Sequence, residues 1–291
     1  MIDKIVCVNR LSNSQVEFNR TSLTPFMLKS VDGVSSYDNN VTVSDHTMTD
    51  GAEYLGSIQQ KRNIVITGKM LGDLLSNKEK LYEVFNTGDI GDIYITDSDG
   101  EQRTAEYYTE KVDADGNGIP TKAFTVSLIC PDPAFYGVDE EKYSMSNWVS
   151  LFEFEHRFKL EPFGKRSEKR NVVIDYKSGV PTGLKIVITA SGDVVNPSVV
   201  NTLQNKRITI GDSQYPFKLS AGQSLTITTG DCDKHVLYND GYTEKEINQY
   251  LTENSDFFQL VYGENPIGYT ADSGIEAMTI DIYFRRKYRG A

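Results

Sequence analysis

The sequence predicts a mainly β protein of two domains, and three observations carry that expectation. Val, Ile, Thr, Tyr and Phe recur in short runs broken by Gly, Asn and Asp, the pattern of strands and turns. Only one good helical stretch interrupts these runs in the first half. The chain has 291 residues, at which size a single hydrophobic core stops growing efficiently, so two domains are expected.

Along the first half, Asn63 to Gly68 reads as a strand. Asn77 to Asn86 reads as a helix, because Leu81, Val84 and Phe85 fall on one face and Gly88 follows its end. Ile93 to Thr96 and Arg103 to Tyr108 form a hairpin through Asp97-Ser98-Asp99-Gly100, whose Asp-Gly step supplies the positive φ of a tight turn. The returning strand pairs in turn with Lys122 to Ile129 across the loop Asp113 to Pro120. Pro131 and Pro133 then stop the strand pattern, since proline lacks a backbone donor and fixes extended geometry. We place the boundary between residues 137 and 150, giving domains 1–140 and 141–291.

The second half carries roughly ten short strands with turn signals roughly every eight to twelve residues, the pattern of a sandwich. They include Asn171 to Tyr176, Leu184 to Thr189, Lys206 to Ile210, Ser224 to Thr229, Phe257 to Tyr262 and Ala277 to Phe284. Thr243 to Thr252 is expected to be a short helix, with Thr243 as N-cap and Glu246 completing a capping box.

Composition narrows the function classes. With 38% apolar and 24% charged residues the chain is that of a folded, soluble protein. No apolar run approaches the roughly 20 residues that span a bilayer, and Met1-Ile2-Asp3-Lys4-Ile5 has no signal core. A soluble product of the cytoplasm with no membrane partner is expected. A net charge of −11 argues against nucleic acid, whose phosphates need clustered Lys and Arg. The short basic runs Lys165 to Arg170 and Arg285 to Arg289 read as solvated faces, or alternatively as contacts for an acidic neighbour. Cys7, Cys130 and Cys232 are odd in number and far apart, which indicates neither a disulfide framework nor a zinc site.

Candidate chemistry is sparse. His46, His156 and His235 stand singly, and there is no GxSxG, HExxH or phosphate-loop motif. Asp113, Asp115 and Asn117, followed by Gly118, resemble the opening of a calcium loop, but the twelfth position is Phe124, where a bidentate Glu is required. A hairpin turn is the preferred reading. Tyr107, Tyr108, Trp148, Phe152 and Phe154 are either a stacking platform for sugar rings, with Trp148 foremost, or ordinary packing. No cofactor and no catalytic residue are expected.

Two groups of residues carry a family resemblance. Gly51-Ala52-Glu53-Tyr54, Arg62 to Gly68 and Leu128 to Gly137 in the first half resemble the distal tail proteins of long-tailed bacteriophages. Gly192, Asn196-Pro197 and Asn201, then Gly222 to Thr229, Phe257 to Leu260 before Gly263-Glu264-Asn265, and Ile280 to Gly290 resemble the C-terminal domain of the same family. The resemblance implies an N-terminal β-barrel or split-barrel domain that forms a hexameric ring and a C-terminal galectin-like β-sandwich. It further implies a virion hub, in a phage tail tip or a tail-like bacteriocin, joining the tail tube protein and a tail-associated lysin or tip protein to receptor-binding proteins. Within it, Arg62 is expected to be a structural paired charge, and Pro131 and Pro133 to fix the path out of the ring domain. A carbohydrate-binding module for cell-wall polysaccharide is the alternative function, and an envelope enzyme a third; no recognisable motif among the 41 acids supports the last.

Overall fold

The computed structural model of the chain describes residues 2–20, 24–35, 38–114, 122–145, 148–150, 164–166 and 171–291. It divides into two compact units, Met1–Val138 with Lys287–Ala291 and Asp139–Arg286.

The first unit is built from β1 (Ile2–Asn9), β2 (Gln15–Asn19), β3 (Phe26–Asp32), β4 (Asn39–Asp45), β5 (Ala52–Gln59), β6 (Arg62–Met70), α1 (Leu74–Val84), β7 (Ile90–Asp97), β8 (Gln102–Asp113), β9 (Lys122–Cys130) and β10 (Phe135–Gly137). Seven of these strands run in the order β7-β1-β2-β3-β6-β9-β8, and β8 pairs again with β7, closing a barrel. All its links are antiparallel except β2 to β3, a single parallel pair Asn19 to Met27. Strand side chains alternate between faces, so Ile5 and Cys7, Val16 and Phe18, Ile64 and Ile66, Ile93 and Ile95, and Phe124, Val126 and Leu128 fill the interior.

Phe18 is the centre of that interior: its ring lies 5.9 Å from Phe26, 6.1 Å from Phe85 and 5.2 Å from Phe124. Phe85 reaches it from the end of α1, whose Leu81 and Val84 are also buried. The helix begins three residues earlier than its apolar spacing suggests. Asp73 accepts from the Leu75 and Ser76 amides and so caps the first turn, while the Asn77 side chain donates to the Leu71 carbonyl. The hairpin at Asp97 to Gly100 forms as expected, with Gly100 at φ +83° and the Asp97 carboxylate accepting from the Asp99 and Glu101 amides.

In the second unit the strands are β11 (Glu141–Ser144), β12 (Trp148–Ser150), β13 (Gly164–Arg166), β14 (Asn171–Tyr176), β15 (Lys185–Ala190), β16 (Val194–Val195), β17 (Ser198–Asn201), β18 (Lys206–Thr209), β19 (Lys218–Leu219), β20 (Ser224–Thr228), β21 (Val236–Asn239), β22 (Glu244–Glu246), β23 (Gly263–Thr270) and β24 (Met278–Phe284). A six-stranded sheet in the order β11-β24-β15-β20-β21-β22 and a four-stranded sheet β14-β23-β17-β18 share one buried apolar cluster. Ile186, Ile188, Ile280 and Ile282 enter it from the first sheet, and Ile174, Val199, Ile208 and Ile267 from the second. This is a sandwich.

Two expectations are corrected here. The segment Thr243 to Thr252 is not a helix: Glu244–Glu246 pairs with β21, and only Asn248–Tyr250 makes a 3-10 turn. The competing principle is turn chemistry. Gly241 takes φ +95°, and Asp240 accepts from the Tyr242 and Thr243 amides, which makes a hairpin of what reads as a capping box. Phe257 to Tyr262 is irregular rather than a strand, with an isolated bridge between Leu260 and Thr182, while Phe258 and Leu260 pack into the buried cluster.

The last strand, β25 (Lys287–Tyr288), pairs with β10, which itself lies beside β8. The chain end therefore belongs to the first unit, whereas the sequence reading assigned it to the second.

Candidate functional site

Among the described residues, no three or more His, Cys, Asp or Glu side chains are grouped to hold a metal ion. Asp113 ends β8, with its carboxylate 3.9 Å from Lys111; Asp115 and Asn117 lie outside the described residues. Trp148 begins β12, opposite Arg166, and its side chain lies outside the description, as do His156, Phe152 and Phe154. Tyr107 and Tyr108 cannot share a platform. As neighbours on β8 they point to opposite faces: Tyr107 is buried against Phe85 and Tyr108 is exposed. His46 is exposed in a turn, its amide bonded to Gly51. His235 bonds Glu246 at 2.6 Å on an exposed edge, and this bond holds its pKa above the ordinary value.

Cys7 and Cys130 are buried free thiols, and Cys232 is exposed. Burial pushes the Cys7 thiol well up, and burial pushes Cys130 up to about 12 against the opposing charge of Arg62.

Instead, the first unit presents a surface. Strands β4 and β5 form a hairpin of their own, inserted between β3 and β6 and, among the described residues, bonded to no other strand. Every residue of β4 is exposed, and so is every residue of β5 except the half-buried Gly56. A β-bulge between Thr42 and Val43 sets Val43 opposite Tyr54 and Val41 opposite Ser57, so Val41, Val43 and Tyr54 share one face. The Tyr54 hydroxyl donates to the Ser57 hydroxyl at 2.9 Å. Tyr54 is 62% exposed and Met48, at the tip, 96%. An isolated two-stranded hairpin is marginal in water, and this one offers β-branched and aromatic side chains to solvent on both strands.

Its root is rigid. Arg62, 2% exposed, donates from Nε to the Pro133 carbonyl at 2.7 Å and from Nη1 to the Gly33 carbonyl at 2.6 Å. Its Nη2 donates to the Arg289 carbonyl, and its guanidinium lies 4.4 Å above the Phe135 ring. One planar fork thus ties the chain entering the hairpin to the turn after β9 and to the chain end. Gly33 has φ +81°, and a Cβ there would stand 1.8 Å from the Asn63 carbonyl oxygen. Around the same root, Ala291 donates to the Val34 carbonyl, Arg103 donates to the Gly290 carbonyl, and Arg103 stacks on Tyr288 at 4.3 Å.

Of the expected structural residues, Pro133 joins this clasp through its carbonyl and Pro131 stands exposed beside it. Asp132, between them, accepts from the Ala134 amide, the Tyr136 hydroxyl and, at 3.3 Å, Lys287. The basic run at 285–289 is thus engaged within the protein: Lys287 with Asp132, and Arg286 with Glu141.

Comparison with known proteins bears on both units. Residues 165–288 match the family model described as the siphovirus-type tail component, C-terminal domain. Most of the second unit is thus similar to this tail component domain. Beyond the span of this tail component domain, the likeness extends to whole solved structures. The Dit protein of phage SPP1, described as a paradigm of the hub adsorption apparatus in phages infecting Gram-positive hosts, is 16% identical, with a TM-score of 0.68 over 98% of this chain and 99% of that one. Chains of the phage P2 baseplate in its activated conformation, with Ca or with Sr, are 8% and 9% identical with TM-scores of 0.52 and 0.51, each covering 100% of both chains. No curated protein matches by sequence. The fold is the one the distal tail resemblance implies, a barrel followed by a galectin-like sandwich.

Proposed function

We propose that this chain is the hub subunit of a phage tail tip. Copies close into a hexameric ring through their first units and hold other proteins, without catalysis. The ring joins the tail tube protein and a tail-associated lysin or tip protein on its axis to receptor-binding proteins at its periphery.

The observation that carries this reading is the β4–β5 hairpin, rooted by a buried arginine yet exposed along nearly its whole length. Contiguous exposed apolar side chains on a monomer mark an interaction site, and a free strand edge is a template for pairing that proteins otherwise cover or blunt. The barrel closes on itself, whereas both outer edges of the hairpin are unpaired among the described residues. The tail component domain, together with the fold likeness to tail hub and baseplate chains, supports the setting.

Light scattering across a concentration range tests the reading. A species of six times the 32.6 kDa subunit mass is the expected result; a monomer at every concentration would overturn it.

A further inference from the structure

The segment Lys287–Ala291 is held by the first unit as a groove holds a peptide, and each position meets something different. Its first two residues extend the sheet, with Tyr136 opposite Lys287 and Phe135 opposite Tyr288. The Lys287 ammonium lies 3.3 Å from the Asp132 carboxylate and 5.1 Å from the centre of the Tyr136 ring. Tyr288 lies against the Arg103 guanidinium and packs on the apolar cluster of the barrel. The Arg289 and Gly290 carbonyls accept from Arg62 and Arg103, and the Ala291 amide donates to the Val34 carbonyl at 2.9 Å. At Gly290 a Cβ would stand 2.2 Å from the Ser35 carbonyl oxygen, so only glycine fits.

These contacts read a sequence. When an extended peptide adds to a sheet edge, main-chain bonds supply affinity and side-chain pockets supply selectivity. Here the pattern is a basic residue, an aromatic one, a residue held by its carbonyl, glycine and a small apolar residue. The groups that read it, Val34, Ser35, Arg62, Arg103, Asp132 and Tyr136, all belong to the first unit, whereas the segment arrives from the second. That passage has no slack. Arg286 pairs with Glu141 in the second unit, and Lys287, one peptide bond later, pairs with Asp132 in the first. A short, tightly anchored hinge is the setting in which copies of a chain exchange an identical element, at no loss of contacts.

We infer that this clasp is a peptide-recognition site that takes the Lys287–Ala291 segment from a second copy of the chain, by exchange, as well as from its own. The donor segment replaces an identical one, so the contacts of the clasp are unchanged. What changes is which copy completes the Arg62 fork. The chain's own segment has the advantage of being tethered, and a second copy matches that advantage where copies are held side by side, because its segment is then present at high effective concentration. The inference stands on the clasp alone and does not depend on the hub reading.

Co-expression of two full-length variants tests this, each with Cys232→Ser to remove the exposed thiol. One carries Val34→Cys and the other Ala291→Cys, positions that the amide-to-carbonyl bond brings within reach of a disulfide. The expected result after oxidation is a covalent heterodimer on a non-reducing gel, mapped by mass spectrometry to positions 34 and 291. Adding Gly290→Val to the Ala291→Cys chain is expected to abolish it, and adding Lys287→Glu instead to diminish it. A single chain with both cysteine substitutions is expected to cross-link within itself. If that chain cross-links and the co-expressed pair gives no heterodimer, exchange is overturned. A heterodimer that survives both Gly290→Val and Lys287→Glu arises by collision, which overturns the recognition site. No cross-link within the single chain would remove the clasp on which the inference rests. The mass of the wild type decides the hub reading separately, and a sixfold assembly without the heterodimer leaves that reading standing.

Discussion

The barrel wall and the β4–β5 hairpin are made of the same residue types and differ in what their side chains meet. On β6, Arg62, Ile64, Ile66, Gly68 and Met70 are buried in alternation with outward residues; on β4, Val41 and Val43 alternate just as regularly and face water. Strand propensity records how well a side chain fits a pleated, half-buried surface. The hairpin therefore satisfies the local requirement for strands while lacking, within its own chain, the surface that stabilises them. One region is packed within its own chain and the other is exposed, and Arg62 stands at the junction.

Mutations should separate the two roles, with the largest effects in the barrel. Phe18→Ala removes the ring shared by Phe26, Phe85 and Phe124 and is expected to destabilise the first unit by about 3–5 kcal/mol in chemical denaturation. Arg62→Ala leaves the Gly33, Pro133 and Arg289 carbonyls short of a charged donor. A loss of about 2–3 kcal/mol is expected, with faster amide exchange around the root and weaker ring formation; exchange as slow as in wild type would show that the clasp does not hold the hairpin. Gly33→Ala forces a Cβ toward the Asn63 carbonyl at positive φ and should lower stability by about 1–3 kcal/mol. Replacing Val41 and Tyr54 with Ser should change unfolding by no more than about 0.5 kcal/mol, yet reduce self-association. A large loss of stability there would erase the contrast.

The β21–β22 hairpin of the second unit offers a finer comparison, because its exposed edge is tied by charge. His235 bonds Glu246, and its pKa is raised in the folded state by that bond. The stabilisation is therefore fully present below the unfolded-state value of about 6.5 and is lost as pH rises through the raised folded value. NMR titration should give His235 a midpoint above the ordinary value in wild type and a lower one in Glu246→Gln; equal midpoints would remove Glu246 as the cause.

Much of the fold was legible because it rests on local signals. The alternation of Ile64 and Ile66, the Asp-Gly turn after Asp97 and the spacing of Leu81, Val84 and Phe85 each specify an element from a few adjacent residues. Thr243 to Glu246 misled because Ser, Thr, Asp and Glu serve helix caps and turns alike, and Gly241 decided for the turn. The candidate site was legible only in part. Arg62 stands out at the start of a strand, but its partners are carbonyls at positions 33, 133 and 289, and sequence alone gives no means of pairing a guanidinium with backbone atoms so distant. The hairpin was missed as strands although Val41 and Val43 alternate with Asn40, Thr42 and Ser44, because β5 shows no such alternation, Tyr54 and Leu55 standing side by side. The exposed apolar run with three acids at its turn was the signal available.

The clasp at the hairpin root has a consequence in time. Arg62 cannot engage the Arg289 carbonyl until the ribosome has added residue 289, after the whole of the second unit has been translated. The root of the hairpin therefore gains this bond only after its strands and the whole intervening unit have been made.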